Sequence, residues 1–209
     1  MTPEDLTAYF TRSDDRYFFA RWGRPIAPVV FGVEDTTLAT VKGAIEAVVT
    51  LADHEMEETD PELGANLLVF FVRAWQELLD TPGVGKLVPD LIPLVDTLRA
   101  RQANQYRIFR FDETGAIKAA FVFLKIDEAL AQVPADTLAL SEAAQTILLW
   151  SDTAFKKTGP LAQLPDDKGA VLKPDIADII RVAYDPVMPG FADDPSHALR
   201  LHARLTRPS

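Results

Sequence analysis

The sequence predicts an α+β fold built on a small mixed β-sheet of about four to five strands packed by helices. Three patterns carry that expectation. Two apolar, strand-like segments flank an amphipathic helix, a second pair of β-rich segments flanks a tight turn, and most of the remaining chain has helical periodicity.

The first strand is "APVVFGV" at 27–33, short, rich in β-branched and aromatic residues, and bounded by Pro and Glu-Asp. A helix follows over 35–54. Its apolar stripe is Leu38, Val41, Ile45, Val48 and Ala52, and Asp35 stands where a side chain caps the free N–H groups. "ANLLVFFV", ending at residue 72, is continuously apolar, as a strand covered on both faces should be. Together they make a strand-helix-strand crossover with parallel strands. Helices are expected over 73–80 and 86–102, interrupted at "TPGVG". A hairpin comes next, with Tyr106, Ile108, Phe109 and Phe111 before the turn and Ile117, Phe121, Phe123 and Ile126 after it. Asp112-Glu113-Thr114-Gly115 supplies the turn chemistry. Further helices are expected over 127–133, 137–150 and 173–185, the last with Pro174 in its first turn. "KTGPLAQLPDDKGAVLKP", 157–174, reads as a long loop. No repeat or linker divides the 209 residues, so one domain over 1–209 is the expectation.

Charge and composition remove several function classes. A net charge of −10 repels nucleic-acid phosphates and anionic headgroups, which argues against nucleic-acid or membrane partners. The longest apolar run, "LLVFFV" at 67–72, is far shorter than the roughly 20 residues of a membrane span. "MTPEDLTAYFTRSDDRYFF" lacks a basic region followed by an apolar one, so a cytoplasmic location is expected. The chain has no cysteine and 3 histidines, which excludes disulfides, thiolate catalysis and Cys-bound zinc. It has no Gly-x-Ser-x-Gly elbow, phosphate loop or dinucleotide fingerprint. No catalytic residue and no cofactor is assigned.

The stretch "LADHEMEETD", 51–60, gathers His54, Glu55, Glu57, Glu58 and Asp60. His54 and Glu58, four apart, are weak metal candidates, because on a continuing helix they share a face. At 100° per residue, however, His54 falls about 200° from Ala52 and points to solvent. The glutamates crowd a helix C-terminus whose dipole disfavours anions, so a frayed, solvated end is expected. His197 and His202 are five apart and do not share a helical face.

"TLALSEAAQTILLWSD" and "LKPDIADIIRVAYDPVMPGF" together resemble a bacterial family of zincin-like domains of unknown function. The matching residues are Glu142, Gln145, Leu149 and Asp152, then Asp175, Tyr184, Asp185, Pro186, Pro189 and Gly190. "RWGRPIAPVVFGV" and "GANLLVFFV" sit where that family keeps its first two strands. The resemblance implies a zincin-like fold in which the helix of Glu142 and Gln145 occupies the place of the zinc-binding His-Glu-x-x-His helix. The chain departs from the active pattern: neither residue is a histidine, and none lies between 55 and 196. Glu142 and Asp152 are hard oxygen ligands, better suited to Ca²⁺ or Mg²⁺ than to zinc.

The expected function is therefore a non-catalytic binding or interaction module. Its candidate degenerate site or ligand cleft comprises Glu142, Gln145, Trp150, Asp152 and Tyr184. Trp150 and Tyr184 also suit core packing. The partner, a protein or small molecule, is unknown, and a homo-oligomer is a further option. The alternative is a metal-dependent hydrolase with Glu142 and Asp152 as carboxylate ligands and Glu142 as general base.

Overall fold

The computed structural model describes residues 1–165 and 169–206. The elements run α1 (Pro3–Phe10), β1 (Phe19–Ala20), β2 (Pro28–Phe31), α2 (Asp35–Leu51), β3 (Leu67–Val72), α3 (Gln76–Asp80), α4 (Val84–Leu87) and α5 (Leu91–Ala100). They continue with β4 (Gln105–Phe111), β5 (Ile117–Lys125), a 3₁₀ turn (Leu130–Gln132), α6 (Ala135–Thr146), β6 (Leu161–Gln163), β7 (Ala170–Leu172), α7 (Pro174–Ala183), β8 (Phe191–Ala192) and α8 (Ser196–Leu205).

The central sheet has the order β2-β3-β5-β4. The first three strands are parallel, and β4 joins the end antiparallel through the predicted hairpin. The α+β class and the small mixed sheet packed by helices are as the sequence predicts. Alternation along β3 explains both cores: Leu67 and Val69 face α2 and α6, while Leu68, Phe70 and Val72 face Trp75 and α3–α5. The first core extends outward to Leu6, Phe10, Ile176, Ile179 and Leu201 of α1, α7 and α8.

At the hairpin, Asp112 Oδ1 accepts hydrogen bonds from the backbone N–H groups of Thr114 and Ala116. Gly115 has φ +87, and a Cβ there would run into the Phe191 ring. Only glycine meets both demands.

Several expectations are corrected. Asp35 is the first residue of α2 rather than its cap; Glu34 holds the capping position without a side-chain bond, and Asp35 contributes only its charge to the dipole. The helix stops at Leu51, not 54. Asp53 turns left-handed at φ +52, its N–H bonding Thr50 O while His54 N–H reaches back to Val49 O. That turn invalidates the helical extrapolation for His54, which is half-buried rather than solvent-facing. Nor does the acidic stretch fray, since Ile26 N–H bonds Glu55 O and Glu57 N–H bonds Ile26 O. Asp60 is 3% exposed, accepting hydrogen bonds from the N–H groups of Glu62 and Leu63 and from Asn66.

The 127–133 segment forms only the 3₁₀ turn, and α6 ends at Thr146 instead of 150. Inside the expected loop at 157–174, β6 and β7 pair antiparallel, with Leu161 opposite Leu172. Strands of three residues are too short to leave a periodic signal. The "DDK" of that loop, 166–168, lies outside the described residues.

Candidate functional site

The site begins where α6 stops. Its last carbonyls are taken by three aromatic side chains: Trp150 Nε1 donates to Ala144 O at 2.9 Å, Trp22 Nε1 to Thr146 O at 2.9 Å, and Tyr184 Oη to Ile147 O at 2.8 Å. These donors satisfy orphan carbonyls that a helix end otherwise leaves to water. Beyond Thr146 the chain runs extended beside residues 20–21, with Leu149 N–H bonding Ala20 O and Leu148 opposite Arg21. The Trp150 ring then stacks on Phe10 at 5.5 Å and meets Tyr9 and Phe155 edge-on at 5.7 and 5.1 Å.

Opposite this segment lies β4, one of the two edge strands of the sheet. Lys125 N–H bonds Asn104 O, and the same register pairs Tyr106 with Phe123 and Ile108 with Phe121. The even-numbered residues of β4 therefore bond β5, and Gln105, Arg107 and Phe109 turn their backbone N–H and C=O groups outward. Between this edge and residues 149–152 runs a groove of about 650 Å³, lined also by Arg12, Arg16 and Phe18.

Gln145, Trp150 and Asp152 line this groove, so the structure brings three of the five candidate cleft residues together. Gln145 donates from Nε2 to Ser141 Oγ at 3.0 Å. Asp152 accepts from Ser13 N–H at 2.8 Å and lies 3.7 Å from Lys156 Nζ. Hydrogen bonds from Ser13, with Lys156 and Arg12 nearby, hold the Asp152 carboxyl below the usual carboxylate range.

Glu142 sits behind the groove wall, its side chain 8% exposed, with both oxygens held by Arg107 Nη2 at 2.6 and 2.5 Å. To bind a metal ion or serve as a base, it would have to leave this guanidinium. Tyr184 is further away and buried, its hydroxyl accepting from Trp22 N–H at 3.2 Å while donating to Ile147 O. Burial raises its pKa, so it stays a neutral donor.

The His54 and Glu58 pair does not assemble. His54 Nε2 lies 2.9 Å from Arg24 O and its ring 5.1 Å from that of Tyr184, while Glu58 is exposed. Burial lowers the His54 pKa. His197 is buried, its Nδ1 hydrogen-bonded with the Tyr17 hydroxyl at 2.7 Å. Among the described residues, no group of three or more His, Asp or Glu side chains is placed to hold a metal ion.

A larger hollow of about 740 Å³ lies between α1, residues 153–158 and the start of α7, but it contains no candidate residue and no strand edge. The groove has both. Sequence reasoning missed its arginines. Arg107 carries a weak signal, a lone cation on the inward face of "QYRIFRF", whereas Arg12 and Arg16 meet β4 only through tertiary folding.

No family model, curated protein or solved structure matches this chain.

Proposed function

We propose that this chain is a cytoplasmic, non-catalytic binding module of zincin-like build, and that an extended segment of a partner protein joins β4 as a fifth strand. One observation carries the reading: the outward N–H and C=O groups of Gln105, Arg107 and Phe109 face a groove large enough to hold a peptide. Unpaired edges invite strand addition, and main-chain bonding supplies affinity while the groove selects side chains. Among the described residues no helix is long and apolar enough to cross a membrane.

The test uses the backbone itself. Three fluorescein-labelled hexapeptides, alternating valine with threonine, glutamate or lysine, are titrated into the protein and followed by anisotropy. Phe109→Pro removes an N–H that points away from β5, so the sheet survives as edge prolines allow, and binding is expected to vanish. Phe109→Ala, which keeps that N–H, should still bind. Failure of all three peptides, or equal binding by both variants, would overturn the reading. So would a dimer in sedimentation that Phe109→Pro dissociates, since the edge would then belong to a second copy of the chain.

A further inference from the structure

We infer that the groove selects an acidic extended segment, one in which carboxylates alternate with apolar side chains; this rests on the strand-addition reading above. The whole chain carries 21 Lys and Arg against 31 Asp and Glu. Among the groove's lining residues the balance reverses: Arg12, Arg16 and Arg107 stand against Asp152, with Asp14, Glu142 and Lys156 paired to them from beside the groove. A positive cleft in a negative molecule concentrates anionic ligands at one place.

The acids there are already committed to protein partners. Glu142 is turned inward onto Arg107, and Asp152 is bonded to Ser13 N–H. Asp14 pairs with Arg16 at 2.7 Å, but the two side chains are 47% and 75% exposed, and so open an ion pair exchanges readily for a ligand carboxylate. Arg107 donates to Glu142 and Gln105 through Nη2, which fixes its guanidinium in the groove wall without turning the head towards bulk water.

The apolar half of the specificity comes from the rings interleaved with these cations. Phe18 and Phe111 line the same groove with centroids 5.6 Å apart, and Trp150 and Leu149 form the opposite wall. On an extended ligand, side chains of one face recur about every 6.7 Å, so acidic residues reach the arginines while their neighbours take the other side. Arginines beside aromatics also suit a single-stranded nucleic acid. The strand edge decides for a polypeptide, because only a peptide backbone can use its alternating N–H and C=O groups, and a long polyphosphate would meet the repulsion of a net charge of −10.

The same three peptides and a labelled hexathymidylate test this in low and in 0.5 M salt. The glutamate peptide is expected to bind about tenfold more tightly than the threonine peptide at low salt, with the advantage fading at high salt. Arg12→Gln with Arg16→Gln should erase that advantage, so that the glutamate and threonine peptides bind this variant equally. Arg12→Lys with Arg16→Lys should largely keep it, and Arg73→Gln, exposed and outside the groove, should leave it whole. Equal binding of the glutamate and threonine peptides to the parent protein overturns the acidic selection while sparing strand addition; failure of every peptide overturns both. Tighter binding of hexathymidylate than of any peptide overturns the choice of a polypeptide.

Discussion

Replacing Arg107 by Met removes the only described ion-pair partner of a buried carboxylate. Glu142 has 8% of its side chain exposed and both oxygens on Arg107, whose own side chain is 18% exposed. Removing one member of a buried pair costs about 3–5 kcal/mol, because the remaining charge is left desolvated without compensation. The partial exposure of Arg107 places this case at the lower end, about 3 kcal/mol. With a urea m-value of about 2 kcal/mol/M, the unfolding midpoint should fall by about 1.5 M. Coupling Arg107→Met to Glu142→Leu removes both charges and fills the space with apolar atoms, so the double variant should recover most of the loss. Urea unfolding of the four proteins at pH 7 closes the cycle. A single variant within 0.5 kcal/mol of the parent, or a double variant as unstable as Arg107→Met, would refute the account of Glu142 as a charge held by one arginine.

Two further outcomes test the scaffold around the groove. Burial, with Arg200 nearby, lowers the pKa of His197 from 6.5 to about 4, so the imidazole is neutral in the fold. Its contribution is present above pH 6.5 and is lost as pH falls towards 4, about 1.4 kcal/mol of it by pH 5.5. His197→Phe should flatten that part of the profile when urea midpoints at pH 7.5 and 5.5 are compared with the parent; a parallel decline in both proteins would assign the pH dependence elsewhere. Tyr184→Phe strips a donor from Ile147 O and an acceptor from Trp22 N–H. At about 2 kcal/mol for the unmet groups, the melting temperature should drop by about 4–8 °C, and an unchanged melt would mean that the end of α6 does not depend on this hydroxyl.

What was legible in the sequence follows the range of the forces involved. The crossover and the hairpin are written locally, in the stripe of Val41, Ile45 and Val48, the run Leu67–Val72 and the turn Asp112–Gly115, and each pattern needs only its own neighbours. The end of α6 was not. Ile147 and Leu148 continue the helical stripe of Leu140 and Ala144, and nothing nearby in sequence says that Trp22 and Tyr184 arrive from positions 124 and 37 residues away to take its carbonyls. His54 failed for the opposite reason, because a turn at Asp53 lies one residue past the extrapolated stripe and a non-glycine left-handed residue gives little warning. The groove was half legible. Gln145 and Asp152 were identified through the resemblance and Trp150 as a large aromatic of the same segment, whereas the charge that answers Glu142 comes from a strand whose pairing must be known before Arg107 can be placed.

The capped end of α6 also bears on how the groove would bind. Trp150 both donates to Ala144 O and forms part of the groove wall, so the wall is tied to the helix by the bond that terminates it. Trp22 and Tyr184, at the same helix end, are 2% and 6% exposed and belong to the main core. Opposite, Phe109 packs against that core while its backbone faces out, and Arg107 is pinned by Glu142. Both walls are thus fixed before any ligand arrives. Ordering a flexible site consumes part of the interaction energy, and a site held this way spends little of it, leaving the cost of ordering mainly with the incoming segment. A mutation that loosens the α6 end without touching the groove, such as Tyr184→Phe, should therefore weaken peptide binding as well as stability, because it transfers some of that ordering cost back to the module.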